Sequence, residues 1–127
     1  MKSIKLGGTT KIPSVSFDYE NGKLELKGRS IPENSVEFFQ PLNDWIKKYG
    51  ADPQPFTTFD VKLEYFNTSS SKCILDLFKT LESINGKGTE VNVNWYFESD
   101  DEDMEEAGED YQEVITLDFK IIEVEEI

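Results

Sequence analysis

The chain has no histidine and a single cysteine, Cys73, and its 13 basic residues face 26 acidic ones. Each shortage excludes something. Without histidine, the side chain most often used as general base and metal ligand is missing. A lone cysteine cannot close an intramolecular disulfide and cannot build a four-cysteine zinc site. No apolar run approaches the roughly 20 residues that a membrane helix needs. The opening segment Met1-Lys2-Ser3-Ile4-Lys5-Leu6 lacks the apolar core of a signal peptide, so a cytoplasmic location is expected. A net charge of −13 argues against nucleic acid and anionic membrane surfaces, both of which need basic patches. No metal or cofactor is expected from these residues.

Aromatic residues are plentiful, with nine Phe, five Tyr and two Trp. A chain of 127 residues is long enough to bury a core, and one domain over 1–127 is expected. Five segments alternate apolar and polar residues at period two, the mark of strands with one buried face. The first turns Val15, Phe17 and Tyr19 inward, and the second Leu24 and Leu26. Between them, Asn21-Gly22 predicts a two-residue type I′ hairpin, so this pair should be antiparallel. The third points Phe59, Val61, Leu63 and Tyr65 to one face. The fourth does so with Val91, Val93, Trp95 and Phe97, and the fifth with Ile115, Leu117, Phe119 and Ile121. Alternation this regular means one wet face, so helices should cover one side only.

Helical spacing fills the gaps. Val36, Phe39, Leu42, Trp45, Ile46 and Tyr49 define a first helix over 35–49, with Asn34 as N-cap and Glu37 in the capping-box position. Pro41 should kink it or delay its start. Ile74, Leu77, Phe78, Leu81 and Ile84 define a second helix from about Ser70, ended by Asn85-Gly86-Lys87-Gly88. A third, acidic segment from Asp101 to about Tyr111 has only Met104, Ala107 and Tyr111 as a narrow stripe. The order β-β-α-β-α-β-α-β, with parallel pairing across each helix, predicts an α/β two-layer sandwich: a mixed five-stranded sheet with helices on one face.

The functional signal lies where the third strand gives way to the second helix, at Tyr65-Phe66-Asn67-Thr68-Ser69-Ser70-Ser71. Hydroxyls gathered at a helix N-terminus sit where free N–H groups and the dipole favour an anion. One cap needs one such residue, and here five stand in a row with no Glu or Gln to close a capping box. The event that suits such a cluster is phosphorylation. Capping alone is the plain alternative.

Other clusters carry less. The acidic run from Glu98 to Asp110 lacks the spacing of a calcium loop. It reads as a solvated face, or else as a docking surface for a basic partner. Asp60, Glu64 and Asp76 have no nucleophile or histidine beside them and read as exposed charges. Cys73 reads as a small buried residue, and Gly7-Gly8 lacks the context of a phosphate loop.

Four segments together resemble the SiaC family of bacterial regulatory phosphoproteins. They are Ile31-Pro32-Glu33-Asn34-Ser35, Tyr65-Phe66-Asn67-Thr68-Ser69-Ser70, Ile74-Leu75-Asp76-Leu77-Phe78 and Asn94-Trp95-Tyr96, and the resemblance spans about Thr9 to Ile122. It implies a fold similar to the STAS-type anti-sigma-factor antagonists, and a partner-switching protein rather than an enzyme. It implies Thr68 as the phosphoacceptor, with Asn67, Ser69 and Ser70 around it. It further implies a cognate protein kinase, a PPM-type phosphatase and an effector bound by the unmodified form, a diguanylate cyclase in the best-known system. A small-ligand-binding STAS-like module without phosphorylation is the alternative.

Overall fold

A computed structural model describes all residues, Met1–Ile127. Its order is β1 (Ile4–Leu6), β2 (Ser14–Asp18), β3 (Lys23–Ser30), α1 (Ser35–Tyr49), β4 (Phe56–Phe66), α2 (Thr68–Ile84), β5 (Glu90–Glu98), α3 (Glu102–Val114) and β6 (Asp118–Val124). The strands lie in sequence order in one six-stranded sheet. The first three pair antiparallel, and β3 to β6 pair parallel across their helices, so the sheet is mixed as expected. Side chains alternate between buried and part-exposed along β2, β4 and β5. The buried face joins α1, α2 and α3 in one cluster of 27 residues.

Several expectations are corrected. The sheet has six strands rather than five, because Ile4–Leu6 pairs with Val15–Phe17 at the edge. Three residues are too few to show a period. The β2–β3 loop runs Tyr19–Gly22 and is not a two-residue type I′ turn. Only Gly22 has positive φ, at 63°, and its N–H returns to the Tyr19 carbonyl. The Asp18 carboxylate fixes this loop by accepting from Asn21 Nδ2 at 2.7 Å. α1 begins at Ser35 despite Pro41, with the Asn34 side chain accepting from Glu37 N. Pro41 and Glu37 are both exposed, so the Glu37 carbonyl that loses its partner faces water. α3 is a full helix to Val114, which leaves Ile115 and Leu117 buried ahead of β6 rather than within it.

The correction that matters most for function is at the end of β4. Gly28 pairs with Leu63 and Arg29 with Tyr65, so Glu64 is an extra residue, a β-bulge. Gly28, at φ 116°, supplies the backbone freedom on the facing strand. Beyond the bulge the alternation flips. Phe66 turns in to meet Trp95 edge-on at 5.9 Å, and Tyr65 turns out, 49% exposed, with the Arg29 guanidinium over its ring at 5.7 Å. Period-two reading had placed Tyr65 inside.

Candidate functional site

The C-terminal ends of β3 and β4 lie side by side, and each leads through a short loop into a helix capped by Asn: Asn34 for α1 and Asn67 for α2. This brings two helix N-termini together at one edge of the helical layer. α2 begins at Thr68, two residues earlier than its apolar stripe predicts. Asn67 is the cap, in extended backbone, and its Oδ1 accepts from Ser70 N at 2.9 Å.

The hydroxyls divide sharply by environment. Ser70 is fully buried. It donates to the Ser30 carbonyl at 3.1 Å and accepts from Ser30 Oγ at 2.9 Å. Ser71 is half-buried beside the Tyr111 hydroxyl, 3.2 Å away. Ser69 is exposed, but its Oγ lies 2.7 Å from Ser35 Oγ and donates to Asn67 Oδ1 at 3.2 Å. Thr68 is exposed, and its hydroxyl takes part in none of these bonds. Of the cluster singled out in the sequence, the structure brings Asn67, Ser69 and Ser70 into one network and leaves Thr68 outside it. Ser30 and Ser35, which complete the network, carry no local sequence signal. They are legible only once the strand ends are known to be neighbours.

A further tie reaches α3. The Tyr111 hydroxyl donates to the Ser71 carbonyl at 2.8 Å, joining α3 to the first turn of α2. Burial pushes the Tyr111 phenol up to about 12, and its bond to Ser71 works in the other direction. The unfolded phenol titrates near 10, so the neutral form is favoured by folding. The stability this group contributes is present below about pH 10 and is lost as pH rises towards about 12. Unfolding midpoints followed across that range should fall, and Tyr111→Phe should flatten the fall. An equally steep fall in the variant would assign it to other groups.

The cap and the free hydroxyl also separate by mutation. Asn67→Ala should cost about 0.5–2 kcal/mol by removing the α2 cap. Thr68→Ala should cost about 0.5 kcal/mol or less, since the exposed hydroxyl it removes makes no hydrogen bond. Denaturant midpoints of the two variants check this, and a larger loss at Thr68 would make it the structural residue.

The surroundings are amphipathic. Val36, 63% exposed, follows Ser35 on α1, and Tyr65 precedes the α2 cap. From Val36 an open groove of about 210 Å³ runs between α1 and α2, with Phe39 and Cys73 in its wall. Burial raises the Cys73 thiol, so it is held neutral. The Ile74, Leu77, Phe78, Leu81 and Ile84 stripe is consumed by the core and lines none of this groove. Charge is distributed unevenly. Residues 1–97 hold twelve acidic and twelve basic side chains, whereas 98–127 hold fourteen acidic side chains and one lysine. No helix is long and apolar enough to cross a membrane.

The family described as SiaC family regulatory phosphoprotein matches residues 6–124. A protein of Pseudomonas aeruginosa strain UCBPP-PA14 is 33% identical over 121 residues, covering 95% of this chain and 96% of its own. SiaC of Pseudomonas aeruginosa superposes with a TM-score of 0.89 at 31% identity, covering 98% of this chain and 100% of that one. A second similar structure is that of the diguanylate cyclase SiaD in complex with its activator SiaC, from the same organism. It has a TM-score of 0.89 and 32% identity, and covers 95% of this chain and 99% of that one. With a match over nearly its whole length, the chain belongs to the SiaC family of regulatory phosphoproteins.

Proposed function

We propose that this protein is a non-enzymatic, cytoplasmic partner switch controlled by reversible phosphorylation of Thr68. A cognate kinase adds the phosphate and a PPM-type phosphatase removes it. The unmodified form binds a downstream effector, a diguanylate cyclase by analogy with the relative whose complex with SiaD describes it as that enzyme's activator. The comparison with STAS-type antagonists, in which a modified residue at a helix N-terminus chooses the partner, belongs to this reading.

One observation carries it. In a row of four hydroxyls, Thr68 alone is both exposed and free of the Ser30–Ser35–Ser69–Ser70 network. A kinase can reach its Oγ1 without breaking a hydrogen bond or opening the core. Ser70 offers neither condition, and Ser69 would first have to leave Ser35 and Asn67. At the first position of α2 a phosphate would lie beside unpaired helix N–H groups. The test is phosphopeptide mapping after treatment with the cognate kinase. Modification at Thr68 with at most minor Ser69 supports the assignment. Predominant modification at Ser70, Ser71 or beyond overturns it.

A further inference from the structure

The acidic residues of α3 in its first turn, Glu102, Asp103 and Glu105, suit the helix dipole, but those beyond it carry a cost that folding does not require. α3 carries seven Asp and Glu among its 13 residues and no basic residue in its last turn. Like charges four apart, such as Glu102 and Glu106 or Glu105 and Glu109, repel along the helix. Glu113 stands at the C-terminal end, where the dipole disfavours an anion. The two salt bridges, Lys62–Glu25 and Lys79–Glu82, use no carboxylate of this helix, and the one cation that reaches it, Lys79 Nζ, donates to the Val114 carbonyl at 3.3 Å. Its carboxylates are exposed and none forms a salt bridge.

Where α3 meets the end of β4 this charge borders an apolar groove of about 170 Å³. That volume exceeds the roughly 150 Å³ cavity known to accept a benzene ring. Tyr65, Phe66, Met104 and Ala107 form its apolar lining, and Glu64 and Asp103 its charged rim, with Asp101 beside them engaged as the N-cap of α3. The groove exists because of the β4 bulge, which turns Tyr65 outward. The Tyr65 ring already holds one guanidinium, that of Arg29, so its face is suited to cations. An apolar lining with an anionic rim matches the two parts of an arginine or lysine side chain: a stem to lie on Tyr65 and a head for the carboxylates.

We propose that this groove docks a Lys/Arg-rich segment of a protein partner, with one long basic side chain lying against Tyr65 and its charge between Glu64 and Asp103. This goes beyond the Thr68 switch and does not depend on it. A phosphate on Thr68, three residues from Tyr65, would add negative charge near the groove. A partner held here is therefore retained by the modified protein, unlike one whose interface covers Thr68.

The test uses the full chain, unphosphorylated, titrated into a labelled Arg- and Leu-containing peptide at two salt concentrations, with a peptide carrying Glu in place of Arg as control. Binding of the Arg peptide alone is expected. The pair Glu64→Gln/Asp103→Asn should weaken it by about fivefold or more, and so should Tyr65→Ala. The pair Glu113→Gln/Glu125→Gln removes the same charge from outside the groove and should change affinity less than about twofold. Equal losses from the two charge pairs would mean diffuse attraction and overturn the assignment. Absence of Arg-peptide binding, or equal binding of the Glu peptide, would overturn it too. If Tyr65→Ala lowers the thermal midpoint, the charge pairs decide the matter alone. Because no phosphate is present, the outcome is separable from that of the Thr68 reading.

Discussion

Phosphorylation of Thr68 is expected to reduce affinity for the effector by about thirtyfold to several thousandfold, the equivalent of about 2–5 kcal/mol for burying an unpaired charge at an interface. The free Thr68 hydroxyl lies at the edge where the helix N-termini meet, and Val36 on α1, 63% exposed, is an apolar anchor for an interface built over that edge. A phosphate adds about −1.5 to −2 charge there. At the centre of an interface that charge must be desolvated or must repel the partner, and either is costly. At the rim the loss would be modest and would shrink with added salt. A central position is the one that suits a switch, because a ligand moves an equilibrium only by its differential affinity. The fold itself should move little. The phosphate meets helix N–H groups locally, and the Ser30–Ser35–Ser69–Ser70 network behind it does not include the modified atom. Isothermal titration of the effector with modified and unmodified protein, at low and high salt, reads both the size of the loss and its salt dependence. A loss that vanishes at high salt would move Thr68 to the rim.

Leu77→Ala should have the largest effect on stability, about 2–5 kcal/mol. Leu77 is fully buried at the middle of α2, in the same stripe as Ile74, Phe78 and Leu81. The next residue, Phe78, meets Phe59, Tyr111 and Phe119 edge-on at 5.1–5.7 Å between centroids, in the same buried cluster. A core packed this densely relaxes only partly into a void, so part of the cavity should persist. Chemical denaturation measures it, and a cost under about 1 kcal/mol would mean that α2 is anchored by its polar N-terminus rather than by this stripe. The contrast with Thr68→Ala separates the two ends of one helix. One face holds the fold, and the hydroxyl of the first residue stands outside the hydrogen-bond network.

Much of the architecture was legible in the residues. Period two along Phe59–Leu63 and Val91–Phe97, and period 3.6 along α1 and α2, follow from burial on a single face, which local sequence records directly. What escaped depended on partners distant in sequence. β1 is too short to show a period and exists through pairing with Val15–Phe17. α3 has a weak apolar stripe, yet Gly108 lies so close to Trp95 that an added Cβ would come within 2.5 Å of the ring, and Trp95 Nε1 donates to the Met104 carbonyl at 2.9 Å. Tertiary contact, rather than its own pattern, fixes that helix. The outward turn of Tyr65 needed the bulge, and the bulge is a property of two strands. At the site, the hydroxyl cluster was visible as composition. Which hydroxyl is free was not, because Ser30 and Ser35 reach Ser69 and Ser70 across more than 30 residues.

The central claim is that one free hydroxyl, at Thr68, decides whether the partner binds. The most direct test treats the wild-type protein and Thr68→Ala identically with kinase and ATP, then titrates each into the proposed effector, a diguanylate cyclase. The account predicts that treatment abolishes or sharply weakens binding by the wild type and leaves Thr68→Ala binding as tightly as before. Loss of binding by the treated variant, or undiminished binding by a wild-type protein whose mass shows one added phosphate, would contradict it.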